Sequence, residues 1–162
     1  MPNWCTNKLE VSGPLAGVRR FVEAQRDDAA SLSFAKSVPE PEGLEGRLLT
    51  WRVAHWGTKW DLDDETDLVV SEDAERDRCE AVYNFFTAWS PPLEWLAVVV
   101  EQYPNLVFRL VFAEPGMAFM GEGGGSEGRF SHEIYEIRGD SALLDELDIA
   151  WDEDTDTDDE TA

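Results

Sequence analysis

Cysteine and histidine are scarce in this sequence, which contains two of each: Cys5 and Cys79, His55 and His132. A cysteine-ligated iron–sulfur cluster needs four thiolates, so the cysteine count excludes one. Zinc sites are usually marked by closely spaced ligand pairs such as CxxC or HxxxH, and neither spacing occurs. The sequence therefore predicts no metal site and no cofactor, and it predicts two ordinary reduced thiols.

Long apolar runs are also missing. No stretch approaches the ~20 apolar residues that a membrane-spanning helix requires. Residues 1–5 lack the basic start and the apolar stretch of a signal peptide. The sequence therefore predicts a cytoplasmic protein without membrane contact, and its 162 residues suit one domain with a hydrophobic core.

Positive charge is the third scarce feature, because 13 Lys and Arg residues face 35 Asp and Glu residues, for a net charge of −22. Ten acids and no base lie within residues 145–160, which leaves −12 for the residues before them. Direct binding to DNA or RNA is not expected, since that affinity depends on cationic side chains that displace counterions. Three interpretations of the charge stay open: solubility, adaptation to a salty cytoplasm, or imitation of nucleic acid toward a basic groove of another protein.

Tryptophan, by contrast, is abundant, with seven residues. Residues 55–61 (HWGTKWD) and residues 87–92 (TAWSPP) combine tryptophan with turn-forming residues. In one interpretation the indoles are buried and Lys59 pairs with Asp61. In the other they are exposed and bind a partner, because tryptophan is enriched in binding hot spots. The candidate binding residues are Trp56, Lys59, Trp60, Asp61 and Trp89.

The first third of the sequence predicts a strand and then a helix. Residues 6–11 alternate apolar and polar side chains, as a half-buried strand does. Residues 12–14 (SGP) supply a turn and a proline suited to a helix start, and apolar residues recur at helical spacing over residues 15–25. Residues 32–38 are predicted to form a short second strand.

An insertion is expected at about residues 39–80, where prolines and glycines first interrupt regular structure. Within it, residues 48–54 have strand-like composition, residues 61–67 form an acidic loop, and residues 68–70 are a candidate strand. The alternating acids of the loop do not match an EF-hand, because the glycine required at its bend is missing.

The second half of the sequence predicts further strands, two helices and a glycine-rich loop. Ser-Pro-Pro at residues 90–92 starts a helix that ends near residue 103. Residues 121–128 are predicted as a hairpin loop and residues 141–149 as a short helix. The predicted strands cover residues 81–89, 106–113 and 130–137.

This order of elements predicts an α+β fold, a split βαβ sandwich with helices on one face of a mainly antiparallel sheet. Residues 1–140 form the expected domain, interrupted by the insertion at about residues 39–80. Residues 141–162 form a short helix and an acidic tail.

Catalytic motifs are weak. The GxSxG and GxGxxG patterns within residues 123–128 precede a predicted strand, whereas the chemistry of each pattern requires a following helix. His55 and His132 have no nucleophile or carboxylate at motif spacing, and structural roles are expected for both. No catalytic residue is therefore predicted.

Several motifs resemble a known family. The sequences MPNWCTN at residues 1–7, WGTKWD at residues 56–61 and TAWSPP at residues 87–92 are similar to the YubB/Api-like ferredoxin-like domain proteins of phages, prophages and plasmids. So are the later YPNL and EPGMAF. The resemblance covers residues 1–137 and leaves the acidic tail outside. It implies a ferredoxin-like fold without a cluster, no established catalytic residues and, for a phage-encoded protein, a place in the host-cell cytoplasm.

These features lead to one main hypothesis and two alternatives. The main hypothesis is a non-enzymatic protein-binding module or inhibitor, in its most specific form an acidic nucleic-acid mimic that occupies a host or partner protein with a basic surface. The first alternative is a small-ligand binder or enzyme that uses the Trp/Lys pocket at residues 55–61 and 87–92. The second, an RNA-binding sheet, is disfavoured by the charge. The candidate tail contacts are Asp152, Glu153, Asp154, Asp156, Asp158, Asp159 and Glu160.

Overall fold

The computed structural model describes residues 3–138 and 141–150. Within this part of the chain, six strands form one antiparallel sheet and five helices pack around it. The strands are β1 (Trp4–Gly13), β2 (Asp67–Asp73), β3 (Arg78–Ala88), β4 (Val107–Glu114), β5 (Phe119–Ser126) and β6 (Arg129–Glu136). The helices are α1 (Leu15–Gln25), α2 (Phe34–Ser37), α3 (Leu48–His55), α4 (Leu93–Gln102) and α5 (Ala142–Glu146).

The strand order in the sheet is β2-β3-β1-β4-β5-β6. The first strand in sequence therefore lies in the interior of the sheet, antiparallel to both β3 and β4. Helix α1 follows β1 and helix α4 connects β3 to β4, and both pack on the same face. The predicted α+β class with a mainly antiparallel sheet is confirmed.

The main core lies between this face and the helices. Residues alternate along β1 so that Leu9 and Val11 are fully buried, while the residues between them are partly exposed. Phe21 of α1 contacts the rings of Tyr83 and Phe108 edge-on, with centroids 6.3 and 5.4 Å away. Full burial of such a side chain contributes about 1.5–3 kcal/mol, so the apolar alternation of β1 and β3 fixes which face the helices cover.

A smaller core lies on the opposite face. Val111 and Ala113 of β4 pack there with Leu144 of α5 and with Leu147, the residue that follows α5. Ser141 caps this helix, because its Oγ accepts a hydrogen bond from Leu143 N at 3.3 Å. The short helix predicted at residues 141–149 is confirmed, and it explains why β4 is apolar on both faces.

Two segments predicted as strands are helical. Residues 34–37 form the single turn of α2, and residues 48–55 form α3. In α3, Trp51 and His55 lie one turn apart and their rings stack, with centroids 4.5 Å apart. Residues four apart are neighbours on a helix surface and lie far apart in a strand, so this contact favours the helix over the strand-like composition.

The prediction of a hairpin loop at residues 121–128 is also wrong, because residues 119–126 form strand β5. Gly123 lies under α4, and a Cβ atom there would approach Leu93 Cδ2 to 3.0 Å. The hairpin turn falls instead at Glu127 and Gly128, both with positive φ (56° and 77°), the geometry that two-residue hairpin loops favour. None of the described helices is long and apolar enough to cross a membrane.

Candidate functional site

The two tryptophan-rich segments are bonded to each other at one end of the sheet. Thr58 Oγ1 donates to the carbonyl oxygen of Ala88 at 2.9 Å, and Ser90 Oγ donates to that of Gly57. Gly57 permits this approach: its φ is +88°, and a Cβ atom there would lie 2.9 Å from the carbonyl oxygen of Pro91. The Gly-Thr pair of the first segment therefore locks it to the second.

The N-terminal segment joins the same network. Asn7 Nδ2 donates to Thr87 Oγ1 at 2.9 Å, and Thr87 Oγ1 donates to the carbonyl oxygen of Ser90 at 2.7 Å. The backbone N–H of Trp89 donates to the carbonyl oxygen of Asn3 at 2.8 Å. Asn7 and Thr87 are buried, so these bonds rigidify the site. Three of the motifs that carried the family resemblance, at residues 1–7, 56–61 and 87–92, thus meet in one place.

The candidate tryptophans divide between the two interpretations drawn from the sequence. Trp56 is fully buried, and its Nε1 donates to the carbonyl oxygen of Val38 at 2.9 Å. Trp60 and Trp89 keep 42% and 37% of their surface exposed, and Trp4 keeps 50%. Trp56 is therefore a core residue, whereas the other three indoles face solvent.

Lys59 and Asp61 do not pair with each other. Lys59 Nζ lies over the indole of Trp89, 5.1 Å from the ring centroid. The carboxylate of Asp61 accepts hydrogen bonds from Phe34 N at 2.7 Å and from Ser33 Oγ at 2.8 Å, and it also accepts from Ala35 N. Asp61 therefore anchors the start of α2 to the tryptophan-rich segment, which is a structural role.

A cleft of about 550 Å³ opens beside these residues. Trp4 of β1 and Phe86 of β3 form part of its wall, on the face of these strands opposite α1 and α4. The indoles of Trp4 and Trp60 meet with centroids 6.1 Å apart and planes inclined by 53°. We call this the aromatic–acidic cleft and define it by Trp4, Trp60, Phe86, Asp63 and Glu65.

The charge of the cleft has one sign. Its ionisable lining residues are Asp61, Asp63 and Glu65, and no Lys, Arg or His is among the lining residues in the described part of the chain. Asp63 and Glu65 are exposed, whereas the carboxylate of Asp61 is occupied by the hydrogen bonds just given. From the sequence, Asp63 and Glu65 were expected only as part of an acidic loop, and Phe86 was not a candidate binding residue. The outward position of Phe86 in the alternation of β3 was the signal that could have identified it.

The potential nucleophiles and bases of the described residues lie in structural settings. His55 stacks on Trp51 and its Nδ1 shares a hydrogen bond with the carbonyl oxygen of Trp51 at 2.9 Å, and His132 stacks on Phe130. Burial raises the pKa of the Cys5 thiol far above its ordinary value, so the reactive thiolate is not available. In residues 3–138 and 141–150, no three His, Cys, Asp or Glu side chains are grouped to hold a metal ion.

The candidate contacts of the acidic tail lie outside the described residues. They are Asp152, Glu153, Asp154, Asp156, Asp158, Asp159 and Glu160.

A family model for the ferredoxin-like domain in Api92-like protein matches residues 55–160. The family resemblance inferred from the motifs is thereby confirmed, although the matched range starts at residue 55 rather than residue 1. The range also reaches into the acidic tail, so the expectation that the tail lies outside the shared region is wrong.

A solved structure gives a similar fold. The crystal structure of the protein Api92 from Yersinia pseudotuberculosis is similar to this chain with a TM-score of 0.59 and 9% sequence identity, over 87% of this chain and 100% of that chain. A comparison with curated proteins gives no match. At this identity the structural likeness shows the fold alone.

Proposed function

The chain belongs to the family of Api92-like proteins that carry a ferredoxin-like domain, and we propose that it is a non-enzymatic module that binds a basic surface of a partner protein through the aromatic–acidic cleft. The observation that carries this proposal is the cleft itself, where exposed aromatic rings stand beside exposed carboxylates. For a phage- or plasmid-encoded chain, which the family resemblance implies, the partner is a protein of the host that the chain binds or inhibits.

The aromatic part of the cleft supports binding by direct contact. Trp4, Trp60 and Phe86 keep 50%, 42% and 50% of their surface exposed, although each side chain is large and apolar. Singly exposed apolar residues are common, but three aromatic rings around one cleft form a patch of the kind that marks interaction sites. Tryptophan supplies large contact area and is enriched among residues whose loss weakens a complex most.

The charge supports a basic partner. The chain carries a net charge of −22, and the ionisable groups described around the cleft are all carboxylates. A surface of one sign attracts an oppositely charged partner over distance and raises the association rate. It also repels nucleic acid, whose phosphates would face the same carboxylates.

The anchoring of the cleft supports a preformed site. Trp60 lies between two anchored residues. Thr58 is hydrogen-bonded to Ala88, and Asp61 is hydrogen-bonded to the first residues of α2. The cleft therefore requires little ordering on binding, which lowers the entropic cost of association.

The proposal is tested by capture of partner proteins from a host lysate with the full-length chain as bait. The double variant W60S/F86S removes two walls of the cleft, and L49S/V53S removes two exposed apolar side chains of α3 as a matched control. We expect W60S/F86S to lose a captured protein that has a basic surface, and L49S/V53S to retain it. Equal capture by all three baits contradicts the proposal.

The nucleic-acid-mimic form of the proposal assigns a role to the tail. Replacing the seven candidate carboxylates by their amides keeps the chain length and changes the net charge from −22 to −15. If the tail imitates a phosphate backbone, this variant loses affinity for the captured partner and DNA competes with the native chain for that partner. Unchanged affinity leaves the cleft as the binding element.

The volume of the cleft favours a second candidate function, a binder of small molecules, because ligand pockets commonly measure ~300–1,000 Å³. Lys59 does not line the cleft and the acids do. The matching ligand is therefore a small organic cation, and the Trp/Lys pocket expected from the sequence is replaced by a pocket of aromatic rings and carboxylates. A native mass spectrum of the purified chain that retains a small cation supports this candidate.

A further inference from the structure

We infer that the aromatic–acidic cleft receives one arginine side chain of the partner protein. This inference rests on the proposed function, because it names the group that the basic partner presents to the site. Its physical basis is the combination of inclined indole faces with two exposed carboxylates at the same opening.

The indoles offer faces to a cation. Trp4 and Trp60 are inclined by 53° to each other, both are partly exposed, and both line the cleft together with Phe86. A cation over an indole face is attracted by the negative face of the ring, and the attraction strengthens where water is excluded. The rings therefore favour a flat, weakly hydrated cation that can stack.

The carboxylates select the kind of cation. Asp63 Oδ1 accepts a hydrogen bond from Glu65 N at 3.1 Å, which holds the two residues in one turn. Guanidinium carries five N–H donors in a fork and can bond a carboxylate while its plane stacks on a ring. An ammonium group is a hydrated point charge and satisfies only one of these two requirements well. The site therefore fits arginine better than lysine.

The same segment already binds an arginine of its own chain in this way. The guanidinium of Arg52 lies 5.4 Å from the ring centroid of Trp56, its Nε donates to Glu40 Oε1 at 2.9 Å, and its Nη1 donates to the carbonyl oxygen of Lys59 at 3.3 Å. An indole, a carboxylate and a backbone carbonyl thus hold one partly buried guanidinium. The cleft brings indoles and carboxylates together at the surface, the same pair of groups that holds the Arg52 guanidinium.

The test uses the full-length chain and a short Gly-Ser peptide that contains one arginine. Matched peptides carry lysine or citrulline, the neutral analogue of arginine, at the same position. Binding is followed by NMR through the indole N–H signals, which W4F and W60F identify. We expect saturable shifts of the Trp4 and Trp60 signals with the arginine peptide, weaker binding of the lysine peptide by about threefold to tenfold, and no binding of the citrulline peptide.

The carboxylates are tested by variants of equal charge. D63N and E65Q are each expected to weaken arginine binding by about threefold to tenfold. D64N removes the same charge from an exposed neighbour that does not line the cleft, and it is expected to leave binding unchanged. Equal losses for D63N and D64N, or equal binding of the arginine and lysine peptides, overturn the inference.

Failure of this inference and failure of the proposed function give different results. If the arginine peptide does not shift the indole signals while W60S/F86S still loses its partner protein, the arginine inference is wrong and the proposed function stands. If W60S/F86S also retains its partner protein, both are wrong.

Discussion

Lys59 Nζ lies 5.1 Å from the centroid of the Trp89 indole, so the cation of the tryptophan-rich segment is satisfied by a ring and not by a carboxylate. Trp89 reaches this position with a left-handed backbone, φ +72°. Such a conformation is unusual for a bulky residue and persists only where other contacts hold it. Here the hydrogen bond from Trp89 N to the carbonyl oxygen of Asn3 is one of them.

The Lys59–Trp89 contact is expected to be structural. Replacing Lys59 by Met removes the cation and is expected to lower the free energy of unfolding by about 0.5–1 kcal/mol, the usual size of an exposed cation–π contact. The K36M variant, which changes an exposed lysine of α2, serves as the control. Urea denaturation measures the effect. If K59M keeps its stability but loses partner binding, Lys59 is instead a binding residue.

The left-handed backbone at Trp89 predicts an order of stability for two substitutions. Both W89A and W89G remove the indole, but only glycine adopts a positive φ without steric cost. We expect W89G to be more stable than W89A by about 1 kcal/mol. Thermal and urea unfolding provide the comparison. The opposite order would show that the backbone at this position relaxes when the indole is lost.

Asp61 is expected to matter for stability more than its acidic neighbours. Its two carboxylate oxygens accept hydrogen bonds from the backbone N–H groups of Phe34 and Ala35, and an amide would turn a donor toward one of these N–H groups. We expect D61N to lower the free energy of unfolding by about 2 kcal/mol. D63N, at an exposed side chain, is expected to change it by less than about 0.5 kcal/mol. Similar values for the two variants would refute the capping role.

The Arg109–Glu146 ion pair predicts a pH dependence. Arg109 Nη1 and Nη2 donate to the two Glu146 carboxylate oxygens at 2.8 and 3.1 Å, and these bonds hold the pKa of Glu146 below its ordinary value of 4.5. Because the folded-state pKa is lowered, the stabilisation is complete above that ordinary value and is lost as pH falls through the folded-state pKa.

The measurement compares the native chain with E146Q by urea denaturation at several pH values. Both side chains are more than one third exposed, so the difference at neutral pH is expected to be at most about 1 kcal/mol. It should shrink toward zero in acid. A difference that stays constant down to the acid limit would mean that Glu146 acts by packing alone.

The charge of the cleft is accessible to fluorescence quenching. Caesium and iodide ions both quench the fluorescence of exposed indoles, but they carry opposite charges. The carboxylates around Trp60 should therefore concentrate caesium and exclude iodide. We therefore expect caesium to quench the fluorescence of the native chain more efficiently than iodide does. The double variant D63N/E65Q should reduce this preference for caesium. The control variant D64N/E45Q, which removes the same charge at two other exposed positions, should reduce it less. Added salt should weaken the preference, because it screens exposed charges. Equal preferences in both double variants would assign the effect to the net charge.

The sequence predicted those elements whose apolar pattern matches their burial. The alternation in β1 and the helical spacing in α1 both correspond to one buried face, with Leu9 and Phe21 meeting the same core. The proline before each long helix also marked its start, since α1 begins after Pro14 and α4 after Pro92. In these places local preference and tertiary packing agree.

The failures occur where side chains carry little information or a conflicting preference. Residues 121–125 offer mainly glycine, and the strand there is explained by close neighbours: a Cβ atom at Gly124 would lie 2.0 Å from the carbonyl oxygen of Phe108. Helix α3 has strand-like composition and depends on the stacking of Trp51 with His55. The neighbour of Gly124 lies outside a local window of sequence, whereas Trp51 and His55 are close in sequence but their composition alone does not show that the rings stack.

The candidate site was predicted in part. Trp60 was identified because it belongs to an unusual motif, and the cleft includes it. Glu65 was not predicted as a site residue, because an exposed acid in an acidic loop resembles many others. Only its place in the lining of the cleft, together with the aromatic rings, distinguishes it. Trp56 was included because sequence spacing does not separate a buried indole from an exposed one.

The interior position of β1 has a consequence for how the protein is made. Leu9 pairs with Tyr83 on one side and with Leu110 on the other, so β1 has no paired neighbour until roughly seventy and then a hundred further residues have been synthesised. Folding is therefore expected to be slow, because these contacts are distant in sequence. An expression fragment that begins at residue 55 would lack β1. Its strands β3 and β4 would then each expose an unpaired edge, which favours aggregation.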